Sequence, residues 1–106
     1  MTEIRYDRND MRMTIRGHAE GGKAGEDVVC AGISALTQTL VRALRDMQTE
    51  KDGKLEYKRD KPGEMEIHFI PVPWVRITSG HLFDFVALGL RTIAENYPEN
   101  ARIEEV

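Results

Sequence analysis

The 106-residue sequence predicts an α+β fold: antiparallel β-hairpins packed with two helices, in the order ββαββα with a possible last β. Three observations predict it. Four stretches alternate apolar and polar residues, the period of half-buried strands. Two longer stretches repeat apolar residues at steps of three and four, the period of amphipathic helices. Short turn signals join the strands in pairs, so the sheet is built from hairpins and not from alternating parallel units.

The elements follow in order. "EIRYD" puts Ile4 and Tyr6 on one face, and "RND" reads as a tight turn. "MRMTIRGH" sets Met11, Met13 and Ile15 against Arg12, Thr14 and Arg16. A glycine-rich stretch, 19 to 26, follows. From Asp27 the period changes: Val29, Ile33, Leu36, Leu40, Leu44 and Met47 recur at helical spacing, and the helix is expected to end between Gln48 and Lys51, before "DG". "KLEYKRD" and "EMEIHFIPV" flank the turn "KPGE" and form the second hairpin, with Leu55, Tyr57, Met65, Ile67 and Phe69 facing inward. "IPVPWV" carries two prolines, which exclude a regular central strand there. A second helix is expected from about Ser79 to Tyr97, with Leu82, Val86, Gly89, Leu90, Ile93 and Tyr97 on one face. Phe83, Phe85 and Leu88 widen that face, which predicts cover on more than one side. "ARIEEV" is the candidate last strand.

Composition bounds the function. Residues 1–106 are expected to form one domain with a single core. No run approaches the roughly 18 apolar residues of a membrane span. The start, "MTEIRYDRND", is charged from position 3 and lacks an apolar signal core, so the expected location is the cytoplasm. One cysteine allows no internal disulfide and no cysteine-rich zinc site. A net charge of −3 argues against direct nucleic-acid binding, which usually shows a basic face. No cofactor and no metal is expected.

The chemistry concentrates in "GHAEGGKAGEDVVCAG", residues 17 to 32, where His18 and Cys30 stand twelve positions apart. With Asp27 as N-cap, Cys30 is the third helical residue. Unpaired first-turn amides and the helix dipole favour an anion at such a place, and helix starts or a nearby imidazolium favour the thiolate a cysteine nucleophile needs. Glycines after His18 let the chain fold back to deliver a base. Gly17 lets a backbone come close, such as that of a peptide substrate. The amides around Cys30 and Ala31 are candidate oxyanion donors. The competing reading is an inert, buried cysteine, since cysteine is among the most buried residue types. Strict alternation also puts His18 on the Arg12–Arg16 face, unless a bulge at Gly17 re-aims it.

This stretch resembles the signature of the ribosomal-processing cysteine proteases, the Prp family. The likeness rests on Gly17, His18, Ala19, Gly25, Asp27, Val29, Cys30, Ala31 and Ser34, on the His-to-Cys spacing, and on the tail "LRTIAENYPENARIEEV". The resemblance implies a cysteine endopeptidase that removes an N-terminal extension from the precursor of bacterial large-subunit ribosomal protein twenty-seven. It implies His18 as base, Cys30 as nucleophile, and Gly17, Asp27 and Ser34 as supporting positions. It also implies a homodimer and a loop, 19 to 26, that orders over bound peptide.

Several residues carry two readings. Asp27 is either a helix cap, whose loss costs about 1 kcal/mol, or the group that orients His18. Ser34, one turn after Cys30, either bonds the Cys30 carbonyl or supports the site. Trp74 is either a core anchor or a peptide or dimer contact. His68 is expected to be solvated, and His81, near a helix start, is a poor place for a cation. The competing functions are a non-catalytic ribosome-associated binding protein with a structural Cys30, and a thiol-based acyl or redox enzyme. The latter would lack a resolving cysteine within the chain.

Overall fold

The computed structural model describes residues 1–17, 26–61 and 63–106, with the backbone alone at Glu26 and Asp27. The elements are β1 (Thr2–Asp7), β2 (Arg12–Arg16), α1 (Glu26–Thr49), β3 (Gly53–Lys58), β4 (Glu64–Pro71), a 3-10 turn (Pro73–Val75), α2 (Arg76–Asn96) and β5 (Ala101–Glu105). This is the expected α+β order, and the last strand is present.

The two hairpins join in one five-stranded sheet of order β3-β4-β2-β1-β5. All pairs are antiparallel except β1 with β5, which runs parallel after the α2 crossover. Alternation decides the faces. Ile4, Tyr6, Met13, Ile15, Ile67 and Phe69 are buried under the helices, and they form one core with Val29, Ile33, Leu40, Leu44, Phe83, Val86 and Leu90. At the tight end of the first hairpin, Met11 takes a φ of 49° yet keeps its side chain in the core.

The helices cross closely at two glycines. A Cβ on Gly32 would meet Ile93 Cδ1 at 3.0 Å, and one on Gly89 would meet Leu36 Cδ1 at 3.0 Å. Each glycine is the hole for the other helix's side chain. α1 ends as expected, at Thr49. Lys51, at a φ of 64°, donates to the Gln48 carbonyl, and the Asp52 amide reaches back to Met47. That is a Schellman closure with lysine where glycine is commoner.

Four expectations need correction. β4 continues to Pro71, despite its central place. The Phe69 amide bonds Met11, the last partner on that side, and the Val72 amide bonds Asp52 on the other. The N–H that Pro71 lacks would therefore face past the end of β2, where no ladder bond is lost. α2 begins at Arg76, three residues early, because the 3-10 turn opened by Pro73 leads straight into it. Its face is also not covered all round: Phe85 is 76% exposed and Leu88 is exposed too. The buried stripe is instead Ser79, Phe83, Val86, Ala87 and Leu90.

His68 is the fourth. It lies on the polar face of the sheet but is not solvated, with only 12% of its side chain exposed. Nδ1 sits 2.8 Å from Glu56 Oε1, and Nε2 sits 3.5 Å from Asp10 Oδ1. The bond to His68 holds the Glu56 carboxyl below its usual range, and Arg12 does the same for Asp10.

On the inner face, the Tyr6 ring stacks on Phe83 at 5.9 Å between centroids, and its hydroxyl donates to Asp84 Oδ1 at 2.7 Å. Burial, and then the Asp84 carboxylate, push this phenol well above its ordinary range. A raised folded-state value gives stability that is full below the unfolded phenol's pKa of about 10 and is lost as pH rises past it. Urea midpoints measured from pH 8 to 11 are therefore expected to fall at the alkaline end, and Tyr6→Phe should flatten part of that fall. An unchanged alkaline slope in Tyr6→Phe would refute the assignment. Phe83→Ala is expected to cost about 3–5 kcal/mol by emptying the centre of the core.

Candidate active site

The end of β2, the first turns of α1 and the β3–β4 turn meet around a cleft of about 370 Å³. Thr2, Ile15, Gly17, Cys30, Ala31, Ile33, Ser34, Thr37, Arg59, Gly63, Glu64 and Met65 line it. Three sequence-predicted residues, Gly17, Cys30 and Ser34, are thus brought together. His18 and the loop 19–25 lie outside the described residues, as does the Asp27 side chain.

Cys30 is partly exposed, which removes the reading of an inert core cysteine. Its neighbour Val29 is buried at 2% exposure and Ile33 is buried as well. These two hold the helix in a rotation that turns Cys30, Ser34 and Thr37, at steps of four and three, onto the flank facing the cleft. Thr37 is fully buried, and its hydroxyl donates to the Ile33 carbonyl at 2.8 Å. The Ser34 hydroxyl accepts from Gln38 Nε2 at 2.7 Å, and among the described residues it makes no bond to the Cys30 carbonyl.

The helix start revises two further expectations. Glu26 and Asp27 are already helical, so Asp27 lies inside α1 and is not its N-cap. The amides of Cys30 and Ala31 then belong to the i→i−4 ladder and are not open oxyanion donors. A helical side chain leans toward the helix N-terminus, so the Cys30 thiol points toward the N-terminal end of α1.

Gly17 has a clear local reason. Its φ is +94°, a region open to glycine and costly for other residues. An added Cβ would also run into the Met1 carbonyl oxygen. On the side of the missing Cβ, the backbone that approaches Gly17 is that of the chain's own first residue. The Gly17 amide donates to the Gly63 carbonyl at 2.8 Å, tying the end of β2 to the β3–β4 turn. Extended backbone stops at Arg16, and Gly17 departs from it.

Sequence reasoning missed Thr2, Thr37, Arg59, Glu64 and Met65 as cleft residues. Thr37 carried a signal: it is a polar residue one helical repeat beyond Cys30. The others reach the cleft only through sheet topology. His68, His81 and Trp74 stand outside it. Trp74 is 79% exposed, which removes its reading as a core anchor. Among the described residues, no cluster of acidic, histidine or cysteine side chains could hold a metal ion. No helix among them is long and apolar enough to cross a membrane.

A partly exposed thiol beside a mixed polar and apolar cleft suits covalent chemistry on an extended substrate. Comparison with known proteins defines the class. The family model described as "Cysteine protease Prp" matches residues 1–102. The ribosomal processing cysteine protease Prp of Staphylococcus aureus is 31% identical over 87 residues, covering 82% of this chain and 78% of that one. Two crystal structures of the S. aureus protease share the fold across the full length of both chains. One, in complex with a substrate peptide, is 25% identical with a TM-score of 0.79. The other, with a covalently linked product peptide, is 26% identical with a TM-score of 0.78. The protein is a cysteine protease. Within that class, the chain belongs to the Prp family of ribosomal processing proteases. The alternative of a non-catalytic binding protein is thereby set aside.

Gly17→Ala is expected to destabilise the fold by more than about 1 kcal/mol, since it adds left-handed strain to the collision with Met1. A thermal melt within a degree of the original protein would contradict this account of Gly17.

Proposed function

We propose that the chain is an endopeptidase that removes the N-terminal extension from the precursor of large-subunit ribosomal protein twenty-seven, with Cys30 as nucleophile and His18 as base. The observation that carries this reading is the partly exposed Cys30 on the wall of the 370 Å³ cleft, in a chain of the Prp family. The covalently linked product peptide in the S. aureus relative supports a covalent route.

The steps follow from the chemistry of a thiol and an imidazole. The Cys30 sulfur attacks the scissile carbonyl carbon, and the peptide C–N bond breaks. The departing amine takes a proton from the imidazolium of His18. Water, deprotonated by the same imidazole, then releases the acyl fragment and restores the thiol. Asp27 and Ser34 are supporting positions: Ser34 stands on the cleft wall and bonds Gln38, and Asp27 belongs to the same helix, α1. Gly17 shapes the cleft rim. The reaction needs no cofactor, metal or nucleic acid, and the cytoplasm, where such a precursor is made, is the compartment that suits it.

The working form is a homodimer. Ile77, Phe85 and Leu88 expose apolar surface along the outer side of α2, and Trp74 continues it. An apolar stripe of this kind is a favourable self-complementary contact.

Two experiments test the reading. Cys30→Ala and His18→Ala are each expected to lower cleavage of the extended precursor by at least about a thousandfold, the scale of losing a member of a catalytic pair. Unimpaired cleavage by Cys30→Ala sinks the assignment. Phe85→Glu is expected to yield folded monomer in sedimentation, where the original protein sediments as a dimer. A monomeric original protein would refute the dimer.

A further inference from the structure

The outer side of α2 carries a pattern that the cleavage chemistry does not use. At about 100° per residue, the direction opposite the buried stripe of Ser79, Phe83, Val86 and Leu90 falls on His81. His81 is exposed. Ile77 stands four residues before it and Phe85 four after, at 75% and 76% exposure. Trp74 and Leu88, also exposed, stand seven before and seven after. The apolar stripe is therefore palindromic, with a histidine at its centre.

Such a stripe fits a two-fold axis. Across that axis an antiparallel helix pair sets each position against the one equally far on the other side. Ile77 then meets Phe85 of the second copy, and Trp74 meets its Leu88, so an aliphatic side chain faces a ring each time. Asp84 meets Thr78 and Arg76 meets Val86, so no like charges are opposed over this span. With aromatic side chains at roughly 150–250 Å² each, the four apolar residues offer on the order of 600 Å². That is most of the roughly 800 Å² per partner of a standard interface. A partner without two-fold symmetry gives no reason for the equal spacings.

His81 is the titratable group on the centre line of this contact. Among the described residues it makes no ion pair. The charged groups around it are engaged elsewhere. Asp84 accepts from the Tyr6 hydroxyl at 2.7 Å and from Arg8 Nε at 3.0 Å. Arg76 donates to the Asn9 carbonyl at 2.9 Å, and Asp10, in the same turn as Asn9, accepts from Arg12 at 2.7 Å. None of these carboxylates is left over to balance two charged imidazoles at the axis.

We infer that α2 packs antiparallel on α2 of a second copy with the two-fold axis at His81, and that the dimer opens when the two imidazoles gain protons. The inference rests on the homodimer proposed above. Two neutral imidazoles can share a hydrogen bond across the axis, one ring N–H donating and one bare ring nitrogen accepting. Two imidazolium groups have only donors, carry like charge and lose water among apolar neighbours. The dimer therefore favours the neutral form, while the exposed His81 of the monomer takes a proton freely. Association is full above the histidine range and weakens as pH falls through it.

The test is sedimentation equilibrium of the full chain, with its thiol reduced, at pH 8 and pH 6. For a histidine that titrates at about 6.5 in the monomer, exclusion of one or both protons from the dimer raises its Kd about four- to twentyfold at pH 6. His81→Leu, on exposed surface, is expected to fold and to dimerise with the same Kd at both pH values. His81→Arg is expected to weaken the dimer at pH 8 as well. A dimer as tight at pH 6 as at pH 8 overturns the inference and leaves the dimer standing, as does a His81→Leu dimer that loosens as much as the original. Monomer at both pH values overturns the dimer and the inference together. Crosslinking locates the axis. In a Cys30→Ala background, His81→Cys is expected to form an intermolecular disulfide on mild oxidation. Phe85→Cys, about 12 Å from its mate along the helix, is not. The reverse result puts the axis elsewhere and overturns the inference.

Discussion

Burial of one apolar stripe on α1 is the constraint from which the rest of the structure follows. Val29, Ile33, Leu40 and Leu44 must all face the sheet, and together they bury most of what this helix contributes to the core. A helix pinned along its stripe cannot rotate. Its flank therefore has to present Cys30, Ser34 and Thr37 to the end of β2 and the β3–β4 turn. The close crossing at Gly32 and Gly89 sets how far α1 stands from α2. Cys30, the proposed nucleophile, is thus placed by packing that does no chemistry, as rigid positioning of a reactive group requires.

The same burial divides the surface by function. The sheet's outer face neutralises its own charges, with Arg102 to Glu3 at 2.5 Å as one example. The outer side of α2 keeps its apolar residues in the open. The side of α1 that runs from Cys30 to Arg45 combines a thiol, small polar groups and arginines. Two of the three reach the cleft: this side of α1 through Cys30, and the sheet's outer face through Glu64.

Much of this was legible in the sequence because its periods are physical. Alternation in "EIRYD", "MRMTIR" and "EMEIHF" identified the inward residues, and the three–four spacing from Val29 to Leu44 identified the α1 stripe. Of the site, Cys30, Gly17 and Ser34 were legible from one local motif. What escaped was non-local or depended on geometry finer than a period. Arg59, Glu64 and Met65 join the cleft because β4 pairs with β2, an event no local window contains. Asp27 read as a cap because residue type alone does not fix where a helix begins. His68 looked solvated because its charged neighbours Glu56 and Asp10 come from two other segments. Phe85 and Leu88 looked covered because periodicity marks apolar residues without saying which molecule covers them.

The central claim is that Cys30 forms the covalent intermediate. Rapid quenching of the protein with a peptide spanning the precursor junction, followed by intact and tandem mass spectrometry, tests it directly. The account predicts a species heavier than the chain by the acyl fragment less one water, mapped to Cys30, appearing before the free acyl product. Cleavage with no such species, or with the adduct on another residue, would contradict it.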